Sequence, residues 1–281
     1  MKEFILNILR GAIIGVANII PGVSGGTMAV ALGIYDKLVK IIGNVFRSVF
    51  KNFKKTMLFM VPLVIGAAGG VLGFSRVMEW LLTNYNLQTI LLFAGLIIGT
   101  LPMIFRNATK QGFKRRYVIP AIVVLLFMIS MLFISESTDV ILDNNMHSYI
   151  MLFIYGFVAA SSMVIPGISG SFVLMLMGAY MPILTLVNNM NILLLIPFGL
   201  GVIAGILICT KIIDICLEKK YGYTYFAIIG FIIGSLVLLP KEMVFENANI
   251  LAGIICLVIG ILISYFMSKL EKEEDINEYV V

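Results

Sequence analysis

Apolar stretches close to the roughly 20 residues needed to cross a hydrocarbon layer recur along the whole of this chain. Of its 281 residues 60% are hydrophobic and 12% charged, against roughly 25% charged in a soluble domain. Inside a bilayer every backbone N–H and C=O must be paired within the protein, and a helix does this segment by segment. The chain is therefore expected to be all-α, a polytopic membrane protein without a soluble domain. Its start, MKEFILNILRG, has no small-residue cleavage site after the apolar run, so it is read as part of the mature protein. The net charge of +5 comes from residues beside apolar segments, where it orients a membrane protein; nucleic acid is not an expected partner. Cys209, Cys216 and Cys256 lie in apolar segments without CxxC spacing, which favours packing over a metal or a disulfide framework.

The sequence divides into two comparable halves. The first, 1–140, holds a broken apolar stretch at 4–43 and three spans at 57–82, 88–105 and 117–135. The second, 146–281, holds a broken stretch at 148–190 and spans at 193–217, 224–240 and 250–268. A shift of 145 positions pairs Gly11, Pro21, Gly22, Ser24, Gly25, Gly33 and Tyr35 with Gly156, Pro166, Gly167, Ser169, Gly170, Gly178 and Tyr180. Further on, a shift of 135 pairs Pro62, Gly66 and Gly70 with Pro197, Gly201 and Gly205, and Gly95, Gly99 and Thr100 with Gly230, Gly234 and Ser235. This is a tandem duplication.

Lys37, Lys40, Arg47, Lys51, Lys54 and Lys55 crowd the connection after the first broken stretch, and Arg106, Lys110, Lys114, Arg115 and Arg116 a later one. Both belong in the cytoplasm, whereas 136–147, ESTDVILDNNMH, has acids and no Lys or Arg and belongs outside. Each half then crosses an odd number of times, whether its hairpin is re-entrant or spans fully. The copies are inserted in opposite senses, with both termini cytoplasmic. Each half is expected to be a re-entrant helical hairpin plus three transmembrane helices, an inverted-topology repeat of the kind that builds secondary transporters around a central site.

Inside the broken stretches stand IPGVSGG, residues 20–26, and IPGISGS, residues 165–171. Such irregular backbone is tolerated only when buried in protein or lining a wet cavity. Ser24 and Ser169 are placed to cap the helices that follow. A helix start offers N–H groups to an anion. Gly22, Gly25, Gly26 and Thr27, with Gly167, Gly170 and Ser171, complete the two halves of the expected cradle at the membrane midplane. Taken singly, such a loop reads equally as a kink for tight helix packing; two copies in inverted relation favour a site.

The shift of 135 also pairs Arg76 with Lys211 and Glu79 with Asp214. Ionisable residues within spans mark pathways or functional pairs, and a structural ion pair or snorkelling is the alternative. The cations would assist an anionic ligand and the acids would couple transport to a proton or sodium ion. Arg10 and Asp36, whose counterparts are Tyr155 and Met181, read as interfacial anchors. Three other functions compete with a lipid-phosphate transporter. A channel or carrier for a small inorganic anion would also use helix starts. The GxSG pattern matches rhomboid-type intramembrane serine proteases, but His147 is the single histidine and lies in a polar loop. A lipid phosphatase or transferase would need a cluster of His, Asp or Arg that is not found.

The segments ANIIPGVSGGTMAVALGIYDKLV, 17–39, and SSMVIPGISGSFVLMLMGAY, 161–180, resemble the bacterial polyprenyl-phosphate (undecaprenyl-phosphate) transporter family, PopT. The resemblance implies a flippase of the bacterial cytoplasmic membrane that returns undecaprenyl phosphate for reuse in cell-wall synthesis. Asn18 and Ser162, within these segments, join the substrate-binding candidates. No catalytic residue, metal or cofactor is expected, the partner is a membrane lipid, and the oligomeric state is left open, a homodimer included.

Overall fold

A computed structural model describes residues 2–19, 24–133, 140, 142, 144–189, 191–245 and 249–270. Among these every regular element is helical. The expected stretch at 4–43 is a long helix α1 (Lys2–Ile19) followed by two short ones, α2 (Gly25–Ala31) and α3 (Tyr35–Gly43). That at 148–190 follows the same plan with α7 (Met146–Val164), α8 (Gly170–Leu176) and α9 (Tyr180–Asn188). The second arm of each hairpin is thus broken, α8 and α9 meeting at 116°. The break is the same turn twice. Gly33 (φ 65°) and Gly178 (φ 67°) take the left-handed conformation. The bonds Gly33 N–H to Val30 C=O and Ile34 N–H to Ala29 C=O recur as Gly178 to Met175 and Ala179 to Leu174.

The remaining helices are α4 (Val45–Asn84), α5 (Asn86–Ala108), α6 (Val118–Ser130), α10 (Ile192–Leu238) and α11 (Ile250–Leu270). Among the described residues four stretches are long and apolar enough to cross a membrane: Phe53–Phe74 of α4, α5, α7 and α10. The expected span at 117–135 is shorter, α6 giving way to a 3₁₀ turn at Met131–Phe133. The basic connection after the first hairpin is not a loop. Lys37 and Lys40 lie in α3, and Arg47 to Lys55 fall in the opening turns of α4, with only Asn44 between the two helices. Lys37 is buried, its ammonium 4.2 Å from the centre of the Phe59 ring. Of the expected acidic segment 136–147, residues 136–139, 141 and 143 lie outside the described residues, and His147 opens α7 instead of standing in a loop.

At Lys220 (φ −139°, ψ 44°) α10 breaks. Cys209 Sγ bonds the Ser161 carbonyl, while Phe231 lies against Gly167. A straight helix would hold Cys209 and Phe231 about 33 Å apart at 1.5 Å per residue, too far for neighbours six residues apart at one end of α7. The chain therefore folds back at Lys220, and the two spans expected at 193–217 and 224–240 are its two limbs. Tyr85, between α4 and α5, has φ −137° and ψ 44°, the same break at the position 135 residues earlier.

Small residues set the helix pairs. A Cβ on Gly66 would fall on the Ile8 carbonyl oxygen and one on Gly70 on that of Ala12; Gly201 and Gly205 stand in the same relation to Phe153 and Phe157. So α1 packs parallel to α4 as α7 does to the first limb of α10. Association inside lipid gains little from hydrophobicity and depends on such close packing. Gly95 and Gly99 face Leu257 and Ile261, making α5 parallel to α11; Gly230 and Gly234 face Ala121 and Met128, making the second limb of α10 parallel to α6. In the interior α2 and α3 pack, through Ala29, Val30, Ile34, Tyr35, Val39 and Ile41, with Ile97 and Ile104 of α5 and Phe226, Ile228 and Ile232 of α10. The second hairpin is more open, with Met181, Leu184 and Val187 of α9 exposed. Exposed Leu72, Phe133, Leu200, Ile212 and Leu251 belong to an apolar surface suited to lipid. Cys216, expected to be buried, is exposed on it.

Replacing Gly66 or Gly201 by Ala is expected to lower thermal stability in detergent by about 1–3 kcal/mol through overpacking. Gly69→Ala, which meets no atom within 4 Å, should leave it unchanged; a thermal unfolding scan separates the two.

Candidate functional site

The two PGxSG loops touch. The backbone N–H of Gly167 donates to Thr27 Oγ1 at 2.7 Å, across 140 residues of sequence. Tyr35 Oη donates to the Val164 carbonyl at 3.2 Å. A Cβ on Gly26 would lie 3.1 Å from the Met163 carbonyl oxygen and 3.3 Å from Pro166 Cα. Gly167 has φ 89°, a left-handed backbone that glycine adopts without strain, and sits against the Phe231 carbonyl where no side chain would fit. Gly22 lies outside the described residues.

Local chemistry then makes the two loops unequal. In the first, Ser24 caps α2 as expected, its hydroxyl accepting from Gly26 N–H at 3.2 Å. Asn18 Oδ1 accepts from Gly25 N–H at 3.0 Å. The N–H groups of Gly25 and Gly26 are therefore already claimed, and Ser24 and Thr27 are buried at 3% and 1% exposure. Thr27 works as a strut between the loops. In the second loop Ser169 occupies the N-cap position but makes no capping bond; its hydroxyl lies 2.8 Å from that of Ser171. The counterpart of Asn18 is Met163, which has no acceptor to offer Gly170. Ser171 is exposed and Ser169 half-buried. In the second loop the N–H groups of Gly170 and Ser171 have no acceptor among the described residues, and the hydroxyl pair lies beside them. Because α2 and α8 are seven residues each, their dipoles are small and individual N–H and O–H groups carry the attraction for an anion.

Ser162 is buried and donates to the Ala159 carbonyl at 2.7 Å, so it serves its own helix. Gly25 faces the Asn18 side chain and Gly170 faces Met163 and the Ala159 carbonyl; valine at either would displace packing as well as ligand.

The second charged pair forms: Lys211 Nζ is 3.3 Å from Asp214 Oδ2, and Asp214 is buried. Asn44 joins them, donating from Nδ2 to Asp214 Oδ2 at 2.6 Å and accepting from Lys211 Nζ at Oδ1. Asn44 follows the last residue of α3, whereas Tyr35, at its first, touches the loops. Nine residues at 1.5 Å each put this cluster about 13 Å from the loop contact, so Lys211 is not part of the cradle. Arg76 is exposed on α4, and the Glu79 side chain lies outside the described residues.

Asp36, expected as an interfacial anchor, has a specific partner on α10. Tyr225 Oη donates to its Oδ2 at 2.5 Å, and Oδ1 is buried without a partner among the described residues. This interior carboxylate was invisible to the repeat comparison, because Met181 replaces it in the second half and Tyr225 is 189 residues away. His147 stands 17 residues before the end of α7, about 25 Å from the second loop and out of reach of either serine as a base.

Comparison with known proteins bears on both loops. The family model described as undecaprenyl phosphate translocase-like matches residues 14–249. The chain belongs to that family. It is 30% identical over 280 residues to the polyprenyl-phosphate transporter of Staphylococcus aureus (strain NCTC 8325 / PS 47), covering 96% of this chain and 98% of that protein. With the polyprenyl-phosphate transporter of Vibrio cholerae serotype O1 (strain ATCC 39315 / El Tor Inaba N16961) it shares 28% identity over 245 residues, 83% of this chain and 77% of that one. No solved structure matches the chain significantly. Family membership spans both loops and the helices that follow each of them.

Thr27→Val removes the acceptor of a buried N–H and is expected to cost about 1–3 kcal/mol, read as a lower unfolding temperature. Thr27→Ser, which keeps an oxygen there, should restore most of it.

Proposed function

We propose that this chain carries a polyprenyl phosphate, specifically undecaprenyl phosphate, between the leaflets of a bacterial cytoplasmic membrane, returning the carrier lipid for reuse in cell-wall synthesis. The observation that carries this reading is the junction of the two loops, one closed and one with donors unclaimed, in a chain similar end to end to a named polyprenyl-phosphate transporter. The phosphate docks at Gly170, Ser169 and Ser171, with the Ser24–Thr27 turn forming the opposite wall. The tail stays in lipid, so the protein supplies only a small polar cradle.

Helix register supports the inverted repeat. Phe105 near the end of α5 and Tyr117 just before α6 both meet Phe226, so these helices run in opposite directions; α11 runs with α5, and the second limb of α10 with α6. The paired elements, α5 with that limb and α6 with α11, are then antiparallel. The first hairpin is interior and capped while the second is open. We read this as one of two states, exchanged as the hairpins rock and their roles reverse. Both termini face the cytoplasm in this arrangement, and Asp214 is the carboxylate best placed to couple transport to a proton or sodium ion.

A small-anion channel is the competing reading, and the apolar interior around α2 and α3 disfavours it because a hydrated ion needs a polar route. In proteoliposomes fluorescent polyprenyl phosphate should move between leaflets, and the Ser169→Ala/Ser171→Ala variant should slow it about ten-fold, about 1.4 kcal/mol. Flux of chloride or inorganic phosphate without lipid movement would contradict the proposal.

A further inference from the structure

The elbow between α3 and α4 forms a groove of about 500 Å³ with the first limb of α10, lined by Ile42, Asn44, Val45, Leu207, Ile208 and Lys211, among others. It lies about 13 Å along α3 from the loops, and Ile208 and Ile212 on its rim are exposed on the apolar surface. We propose that this groove is a second station for the same lipid, holding the phosphate at Lys211 and the first isoprene units against the aliphatic walls. The inference rests on the transport reading above.

Charge and geometry argue for it. An ammonium has three donors, and Lys211 spends two, on Asn44 and Asp214. Its third has no acceptor among the described residues, and its side chain is 46% exposed. Asp214, 4% exposed at its side chain, lies on the protein side of the pair, so the cation is the charge presented to the groove. A phosphomonoester completes the set of bonds on Lys211, while an uncharged lipid leaves the third donor unmet in an apolar setting. The walls are aliphatic and carry no further charge, as an isoprenoid chain requires. Asn44 gives the station a link to the cradle. It grips the Lys211–Asp214 pair at one end of α3, and Tyr35 holds the Val164 carbonyl at the other.

The test uses the full chain in liposomes of zwitterionic phospholipid and a polyprenyl phosphate bearing a diazirine on the isoprene unit next to the phosphate. Illumination and peptide mapping should label residues within 42–45 and 207–212. Excess unlabelled polyprenyl phosphate should reduce that labelling about ten-fold, whereas the same excess of phosphatidylglycerol should not. The variant Lys211→Gln/Asp214→Asn removes the ammonium without leaving a buried carboxylate alone, and should lose groove labelling about ten-fold while labelling of 165–171 persists. Labelling confined to the loops, or displaced equally by phosphatidylglycerol, overturns the station and leaves the transport reading standing. Absence of specific labelling at both places, with no lipid movement by the unaltered chain, overturns both.

Discussion

A buried backbone N–H has to find an acceptor, and that of Gly167 finds one in the other half of the chain. The bond to Thr27 ties two irregular turns together and leaves that N–H paired inside the protein. Much of the architecture serves this junction. Gly167 must be glycine both for its left-handed backbone and for the approach of Phe231, and Thr27 must be buried to meet it. The parallel pairs α1 with α4 and α7 with the first limb of α10, locked by glycine against carbonyl oxygen, bring the two long arms to the same meeting point.

Two copies of one motif have acquired different chemistry through two positions, Asn18 against Met163 and Gly26 against Ser171. Asn18 closes the first loop by accepting from Gly25, and Met163 leaves its counterpart in the second loop open. The same contrast runs through the packing, with the first hairpin in the interior and α9 of the second exposing Met181, Leu184 and Val187. Under the transport reading proposed above, such a difference between equivalent elements would let one side close while the other opens.

Much of this was legible in the sequence because repeats report geometry. The shifts of 145 and 135 pick out in the sequence the paired glycines that set the helix contacts and the Lys211–Asp214 pair, whereas the equivalent breaks at Tyr85 and Lys220 show only in the fold. What stayed hidden depends on contacts far apart in sequence or on deviations from the repeat. Asp36 is interior because Tyr225 lies over it, and nothing near position 36 says so. Lys37 reads as part of a basic cytoplasmic connection, yet α3 turns it inward over Phe59. The broken second arm of each hairpin rests on one left-handed glycine, whose effect on direction is not encoded in hydropathy.

The central claim is that the two turns face one another within the membrane, and disulfide trapping tests it directly. In a background with Cys209, Cys216 and Cys256 replaced by serine, Gly26→Cys and Pro166→Cys are introduced together and oxidised in native membranes. The account predicts a rapid intramolecular cross-link, since a Cβ at Gly26 lies 3.3 Å from Pro166 Cα, and arrest of lipid movement while it is in place. Two thiols that stay free in correctly folded protein, each labelled readily by a bulky water-soluble reagent, would contradict it.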